Sequence, residues 1–263
     1  MSETFATGPQ TDLTGKVAVI TGAARDLGLA LALSAADRGM MVALADENEY
    51  LLAAALEEVR TKDVEAIAIP SDTLDFAALS DLARHSATEL GPPWLVFNNP
   101  GVSIEKTLWG IVNGVQVFAP DMVERDGGHI VNIAAAEVFG TSGSAPDAAI
   151  TSAIVGLSES LYRELDSRGS RVGVTLVCPE LGKTNIASAP NTGNPVAPSL
   201  RYVPQNCLPP KELAEQIFAA VDARSFWFRP HKPSRMKCPG PAGSRGPGSH
   251  SAAKRFVTVR DTH

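Results

Sequence analysis

Short apolar runs alternate with longer stretches of helical periodicity along residues 14–229. The runs are rich in β-branched residues and predict buried parallel strands over 16–20, 40–45, 64–69, 94–97, 129–134, 171–177 and 226–229. The intervening stretches predict helices over 29–38, 47–60, 76–90, 108–125, 146–167 and 211–223. This alternation predicts an α/β fold, namely a doubly wound parallel sheet of about seven strands with helices on both faces, in a single domain.

The two ends of the chain do not follow this pattern. Residues 1–13 are polar and predict a flexible arm. Residues 230–263 are basic and rich in Pro and Gly, which predicts a loosely ordered tail. The folded domain is therefore expected to span 14–229. Two roles stay open for the tail: contact with an acidic partner, or a solvated segment with no specific role.

Charge and composition narrow the possible functions. The net charge is −6, and nine Lys/Arg but only one acid lie from Arg224 onward, so the rest of the chain is strongly acidic. An acidic body argues against nucleic-acid binding. No apolar run approaches the length of a membrane span, and residues 1–13 do not resemble a signal peptide. The three cysteines and five histidines lack metal-ligand spacing, so we predict a cytoplasmic protein without a metal site.

A glycine turn joins the first predicted strand to the first predicted helix. Gly22 would let the chain turn sharply, and Gly28 would let the helix pack closely on the sheet. The helix then presents its N–H groups and positive dipole end beside the strand, which suits a pyrophosphate. Asp46, at the end of the second strand, is placed to bind the ribose hydroxyls of a dinucleotide. The alternative is an ordinary strand–helix turn, with Asp46 as a capping acid.

The stretch Thr21–Gly28 resembles the Thr-Gly-x-x-x-Gly-x-Gly turn of the short-chain dehydrogenase/reductase family, although Asp26 replaces the middle glycine. Further stretches are similar to family motifs: Asp72 after the third strand, Asn98-Asn99-Pro100-Gly101, and Thr184 after Cys178-Pro179. The resemblance covers roughly residues 12–230 and implies a Rossmann-like fold that binds NAD or NADP. The implied cofactor-binding residues are Gly22, Arg25, Asp26, Leu27, Gly28, Asp46, Asp72, Asn98, Pro100, Gly101 and Thr184.

The resemblance also bears on which cofactor binds and how strongly. Asp46 favours NAD over NADP, because a carboxylate repels a 2′-phosphate. Arg25 weakly favours NADP, because family members sometimes carry a basic residue there for the phosphate. Asp26 adds bulk and negative charge where the pyrophosphate would lie, so we expect weakened phosphate binding.

The family's catalytic side chains are not found at the matching positions. Its asparagine, serine, tyrosine and lysine positions fall on Thr107, Ala135, Asp147 and Thr151, and the chain contains no Tyr-x-x-x-Lys sequence. Only five residues separate Gly101 from Thr107, where the family has a longer segment, so a wall of the substrate pocket is expected to be missing or rebuilt.

Three functions remain open at the level of sequence. The family implies an NAD(P)-dependent oxidoreductase acting on a small alcohol or carbonyl compound. The substituted positions instead favour a catalytically degenerate member that binds cofactor or serves as a scaffold. A weaker alternative is a non-redox lyase or isomerase that uses Asp147, paired with Glu137. Family members pair through two helices, so we expect a homodimer or homotetramer, or a hetero-oligomer with an active paralogue.

Overall fold

In the computed structural model, residues 11–100, 104–134, 145–178 and 208–229 are described. Their strands form one parallel sheet of seven strands in the order β3-β2-β1-β4-β5-β6-β7. The strands are β1 (Val17–Thr21), β2 (Met41–Asp46), β3 (Ala66–Pro70), β4 (Pro93–Asn98), β5 (His129–Ile133), β6 (Gly173–Val177) and β7 (Trp227–Phe228). The predicted doubly wound sheet is confirmed.

Six helices connect the strands: α1 (Asp26–Ala36), α2 (Glu49–Arg60), α3 (Phe76–Glu89), α4 (Ile104–Glu124), α5 (Ala145–Ser167) and α6 (Pro210–Asp222). Two of them begin three or four residues earlier than predicted. The predicted α1 began at residue 29, but the turn after β1 runs directly into the helix at Asp26. The predicted α4 began at residue 108, but the short segment after β4 enters the helix at Ile104. No helix in the described ranges is long and apolar enough to cross a membrane.

The helices lie on both faces of the sheet because side chains alternate along each strand. In β1, Ala18 and Ile20 pack into the cluster formed by α1, α2 and α6. Val17 and Val19 pack into the opposite cluster, formed by α3, α4 and α5. Leu13 is buried in the first cluster. The division into arm, domain and tail stays a prediction, since residues 1–10 and 230–263 lie outside the described ranges.

Two chains of buried polar side chains cross the β4–β6 half of the sheet. Asn98 donates from Nδ2 to Oδ1 of Asn132 (2.9 Å), and Asn132 donates from Nδ2 to Oγ of Ser158 (2.9 Å). His129 pairs through Nε2 with Oγ1 of Thr175 (2.8 Å). Because the Thr175 hydroxyl donates its single proton to the carbonyl of Ser225, His129 must donate from Nε2. Burial lowers the pKa of His129 and so favours its neutral form.

Candidate functional site

The turn between β1 and α1 requires glycine at two positions. Gly22 has a φ of +60°, and a Cβ there would lie 2.1 Å from the carbonyl oxygen of Asn99. A Cβ on Gly28 would lie 1.9 Å from the carbonyl oxygen of Gly22. Both clashes involve backbone atoms, which cannot rotate away. The first turn of α1 therefore packs directly on the glycine turn, as the sequence predicts for a phosphate-binding loop.

Thr21 and Asn99 fix this turn to β4. The Thr21 hydroxyl donates to the carbonyl of Phe97 (3.2 Å) and accepts from the backbone N–H of Asn99 (2.9 Å). The Asn99 amide donates to the carbonyls of Thr21 (3.3 Å) and Gly22 (3.2 Å). The second asparagine of the Asn98–Gly101 stretch thus shapes the glycine turn.

The amino end of α1 differs from those of α2 and α3, which lie at the same edge of the sheet. Asn48 caps α2 by accepting from the N–H of Leu51, and Asp75 caps α3. Within the described chain, no side chain caps α1, so its first N–H groups stay available to a bound anion. Arg25, which precedes the helix, is exposed.

Asp26 occupies a backbone conformation that favours glycine. Its φ is +51°, in the left-handed region, where a side chain is strained but aspartate is among the best tolerated residues. The residue therefore retains the geometry of the glycine it replaces while adding a carboxylate at the amino end of α1. Leu27, next in the helix, is buried against the core.

Two acids lie at the carboxyl ends of β2 and β3. Asp46 accepts from the N–H of Ala24 at Oδ2 (3.2 Å) and from the N–H of Asn48 at Oδ1 (2.9 Å). It therefore ties the glycine turn to β2 and caps the following segment, while each oxygen keeps a lone pair for a ribose hydroxyl. Asp72 is exposed and accepts from the N–H of Leu74 (3.0 Å).

Sequence reasoning missed a cation at this edge. Lys106, in the first turn of α4, forms an ion pair with Glu47, the residue after β2. The hydrogen bond to Glu47 raises the pKa of Lys106, with further contributions from the charges of Glu47, Asp72 and Asp46, against a lowering by burial. The available signal was the short spacing between Gly101 and Thr107 in the sequence.

Comparison with known proteins identifies the family to which this arrangement belongs. The sequence profile of short chain dehydrogenases matches residues 16–194, which contain the glycine turn and six of the seven strands. The chain belongs to the short-chain dehydrogenase family.

Several relatives are similar over most of this range. SadH of Mycobacterium tuberculosis, named as an oxidoreductase, is 32% identical over 195 residues, covering 66% of this chain and 69% of that protein. The 3-oxoacyl-[acyl-carrier-protein] reductase FabG of Staphylococcus aureus is 29% identical, covering 60% of this chain and 71% of that protein.

Solved structures extend the similarity to the whole fold. A short-chain dehydrogenase/reductase from Burkholderia phymatum in complex with NAD is 31% identical, with a TM-score of 0.77, covering 83% of this chain and 90% of that one. A metagenomic short-chain oxidoreductase in complex with NADP is 25% identical, with a TM-score of 0.64, covering 83% and 96% respectively.

The structure describes some of the remaining predicted cofactor and catalytic residues and not others. Asn98 is enclosed, because a Cβ on Gly114 would lie 2.0 Å from its Oδ1. Pro100 is buried against Gly110 of α4. Thr107 is half-buried on α4, and Thr151 is buried on α5. Asp147 lies in α5, although its side chain is outside the description, and the described ranges exclude Gly101, Ala135, Glu137 and Thr184.

Of the chain's three tyrosines, two lie in the described ranges, and neither occupies a position predicted from the sequence to be catalytic. Tyr50 is 84% exposed on α2. Tyr162 packs against Phe226, with ring centroids 4.9 Å apart. It lies eleven residues beyond Thr151 in α5, which places it about 16 Å further along the helix.

The described residues contain no group of three or more His, Cys, Asp or Glu side chains placed to hold a metal ion. Cys178, at the end of β6, is buried, and burial raises the pKa of its thiol to about 12. At neutral pH this thiol is protonated, so it lacks the thiolate character of a nucleophile.

Proposed function

We propose that this short-chain dehydrogenase binds a nicotinamide dinucleotide at the turn Gly22–Gly28, with the pyrophosphate at the amino end of α1. The main support is the steric closure of this turn, in which both glycines lie against backbone atoms and the first turn of α1 packs directly on the turn. The uncapped end of α1 and the carboxylate of Asp46 fit the pyrophosphate and the adenosine ribose respectively.

We further propose that NAD is preferred over NADP. Asp46 lies at the end of β2 and can accept hydrogen bonds from ribose hydroxyls, whereas it repels a phosphate at the 2′ position. Among the similar structures, the Burkholderia phymatum protein is in complex with NAD, and the metagenomic protein, which has a lower TM-score, is in complex with NADP.

Bound in this way, the nicotinamide dinucleotide would supply hydride exchange with a small alcohol or carbonyl compound. The proton that accompanies the hydride needs a donor near the substrate oxygen. The chain has no Tyr-x-x-x-Lys sequence, and the matching positions hold Asp147 and Thr151. An ordinary carboxyl group is ionised at neutral pH and cannot donate a proton. Losing one acid–base group costs about 10²–10⁴-fold in rate, so we expect turnover to be feeble.

The second candidate is therefore a cofactor-binding or scaffold protein without turnover. The buried position of Thr151 favours it, because a lysine there has been replaced by a side chain that packs into the helix layer. In this role α4 and α5 would pair with a second copy or with an active paralogue. A lyase or isomerase that uses Asp147 as its base is a third, weaker candidate.

Calorimetric titration of the folded protein with NADH, and separately with NADPH, tests the proposal. We expect saturable binding of NADH and weaker binding of NADPH. A screen of small alcohols and carbonyl compounds with the loaded protein then separates slow turnover from none. If neither nucleotide binds to protein that circular dichroism shows to be folded, the dinucleotide proposal fails.

A further inference from the structure

An ion pair bridges two elements at the edge of the sheet where the adenosine is proposed to lie. Glu47 follows β2, and Lys106 lies in the first turn of α4, the helix that follows β4. In the sheet, β1 lies between β2 and β4, so the pair spans the edge of the strand that carries the glycine turn. The side chain of Lys106 is 28% exposed and that of Glu47 is 59% exposed, so the pair lies at the rim of the site.

The position of Lys106 is fixed by the packing of α4. Gly110, one turn further along the helix, allows a close approach: a Cβ there would lie 2.4 Å from Cβ of Pro100 and 2.9 Å from Oγ1 of Thr73. Asn113 donates from Nδ2 to the carbonyls of Thr73 (3.0 Å) and Leu74 (3.2 Å). These contacts hold the start of α4 against the loop after β3, which carries Asp72.

Three carboxylates and one ammonium therefore meet at this edge. Asp46 and Glu47 come from the end of β2, and Asp72 comes from the end of β3. These acids stabilise the charged form of Lys106, whose pKa is raised by Glu47 first and then by Asp72 and Asp46. Because lysine is already protonated at neutral pH, the raised pKa keeps a full positive charge beside Asp46 throughout the working range.

We propose that Lys106 is a specificity-determining residue that sets how strongly the acidic adenosine end discriminates against a 2′-phosphate. A 2′-phosphate monoester carries about −1.5 to −2 charges at neutral pH, whereas the 2′-hydroxyl of NAD is neutral. The charge of Lys106 therefore attracts the 2′-phosphate of NADP far more strongly than the 2′-hydroxyl of NAD. This inference rests on the proposed function, because it assumes that the adenosine lies beside Asp46.

Fragments of the cofactor test this end of the site alone. Adenosine 5′-monophosphate and adenosine 2′,5′-bisphosphate differ only in the 2′-phosphate and lack the nicotinamide. Calorimetry would give the ratio of their dissociation constants for the wild type, Lys106→Met and Glu47→Gln. We expect Lys106→Met to weaken the bisphosphate relative to the monophosphate by about fivefold, the effect of one partly screened unit charge. Glu47→Gln should shift the ratio in the opposite direction, since it removes a carboxylate.

Lys62→Met is the matched control. Lys62 also forms an ion pair with an acid, Asp37 (2.8 Å), but it follows α2 at the opposite edge of the sheet. Its substitution removes the same charge from the protein and should leave the ratio unchanged. Raising the salt concentration should reduce the Lys106 effect and leave the control unaffected.

The possible outcomes separate the two proposals. An unchanged ratio in Lys106→Met, with both fragments bound, would overturn the role of Lys106 and leave dinucleotide binding intact. Equal strengthening of both fragments would show that Lys106 blocks the site rather than selecting between cofactors, and would also overturn its role. If the wild type binds neither the fragments nor NADH and NADPH, the proposed function itself fails, and the role of Lys106 fails with it.

Discussion

The two halves of the sheet's carboxyl edge differ in how much of a dinucleotide enzyme they retain. At the β1–β3 half, Gly22 and Gly28 lie against backbone atoms, and Asp46 accepts a hydrogen bond from the glycine turn, an arrangement that fits the proposed dinucleotide. At the β4–β6 half, the described positions that we predict to match the family's catalytic asparagine and lysine hold Thr107 and Thr151. One half fits the proposed dinucleotide, while in the other half we predict that the family's groups for proton transfer are replaced.

The difference follows from what each set of residues does for the fold. Gly22 and Gly28 are constrained by backbone contacts, so replacing either would distort the strand–helix connection as well as the ligand site. Thr151 is buried in α5, so a threonine at the position predicted for the family's lysine serves packing rather than proton transfer. Substitution there removes chemistry while leaving the core intact. Binding and catalysis can therefore be lost separately in this fold.

The largest expected effect comes from restoring the catalytic side chains. The triple variant Asp147→Tyr, Thr151→Lys, Ala135→Ser should raise the rate of hydride transfer to a small carbonyl substrate by at least about 10²-fold over the wild type. The reason is that the lysine would hold the tyrosine ready to donate a proton. Single-turnover oxidation of NADH, followed by absorbance, measures the rate.

The Asp147→Tyr single variant is the control, since a tyrosine without its lysine should gain little. If the triple variant binds NADH and keeps its thermal stability but stays inactive, side-chain replacement does not explain the difference between the halves. The shortened segment between Gly101 and Thr107 would then be the cause, through a missing wall of the substrate pocket.

The second effect probes the binding half. Gly28→Ala places a Cβ 1.9 Å from the carbonyl oxygen of Gly22 and 2.9 Å from Cα of Ala23, so the turn must open. We expect a loss of stability of about 1–3 kcal/mol, typical of overpacking. NADH affinity should fall by at least about tenfold, equal to about 1.4 kcal/mol. Urea unfolding and calorimetry measure the two changes.

Gly156→Ala is its matched control, because Gly156 is also a helical glycine but has no atom within 4 Å of an added Cβ. Alanine there should stabilise the protein by up to about 1 kcal/mol through helix propensity and leave NADH binding unchanged. Wild-type affinity in Gly28→Ala would show that the turn does not hold the pyrophosphate.

The third effect is a loss of stability in acid that comes from a buried histidine in the β4–β6 half. The β4–β6 half buries His129, whose pKa is lowered from 6.5 to about 3, mainly by burial. Between pH 6.5 and 3 the unfolded chain binds a proton here that the folded chain does not. The neutral His129 therefore makes its full contribution to the free energy of unfolding above pH 6.5. Below that pH the free energy of unfolding falls by about 1.4 kcal/mol for each pH unit. Urea unfolding at pH 6 and pH 5 measures the slope.

His129→Gln should remove that slope, since glutamine does not titrate but can still donate to Thr175. The exposed His85 on α3 supplies the control His85→Gln, which should keep the wild-type slope. If His129→Gln keeps the wild-type slope as well, another group causes the loss of stability in acid.

The sequence predicts the fold well because its signals are local. Apolar runs and helical periodicity placed all seven strands and six helices, and the glycine spacing placed the turn at Gly22 and Gly28. What it did not predict depends on contacts between distant residues. The pairing of Lys106 with Glu47 joins positions 59 residues apart and follows from how closely Gly110 lets α4 approach the loop after β3.

The hydrogen bonds between buried polar side chains in the β4–β6 half could not be predicted from the sequence either. Asn132 looks like an ordinary strand residue, and its link to Asn98 and Ser158 exists only once β4, β5 and α5 are packed together. Asn99 was noticed as part of a family motif, but its hold on the carbonyl of Gly22 depends on β1 and β4 being neighbours in the sheet. Such roles require the topology as well as the pattern.

The smallest expected effect comes from Asp26, the residue of the glycine turn that differs from the family's glycine. Asp26→Gly restores a residue suited to the φ of +51° and removes a carboxylate beside the proposed pyrophosphate. NADH affinity should rise by about fivefold, the effect of one partly screened charge. Stability should change little, because the relief of strain is offset by the loss of a favourable acid at the amino end of α1.

Asp63→Gly separates the two contributions of Asp26. Asp63 has nearly the same φ, +56°, but follows the carboxyl end of α2 at the opposite edge, where its charge opposes the helix dipole. Glycine there should stabilise the protein by about 0.5–1 kcal/mol without changing NADH binding. If Asp26→Gly raises stability as much as Asp63→Gly and leaves affinity unchanged, Asp26 lies away from the ligand. The aspartate at this position of the glycine turn would then have no bearing on how strongly the dinucleotide binds.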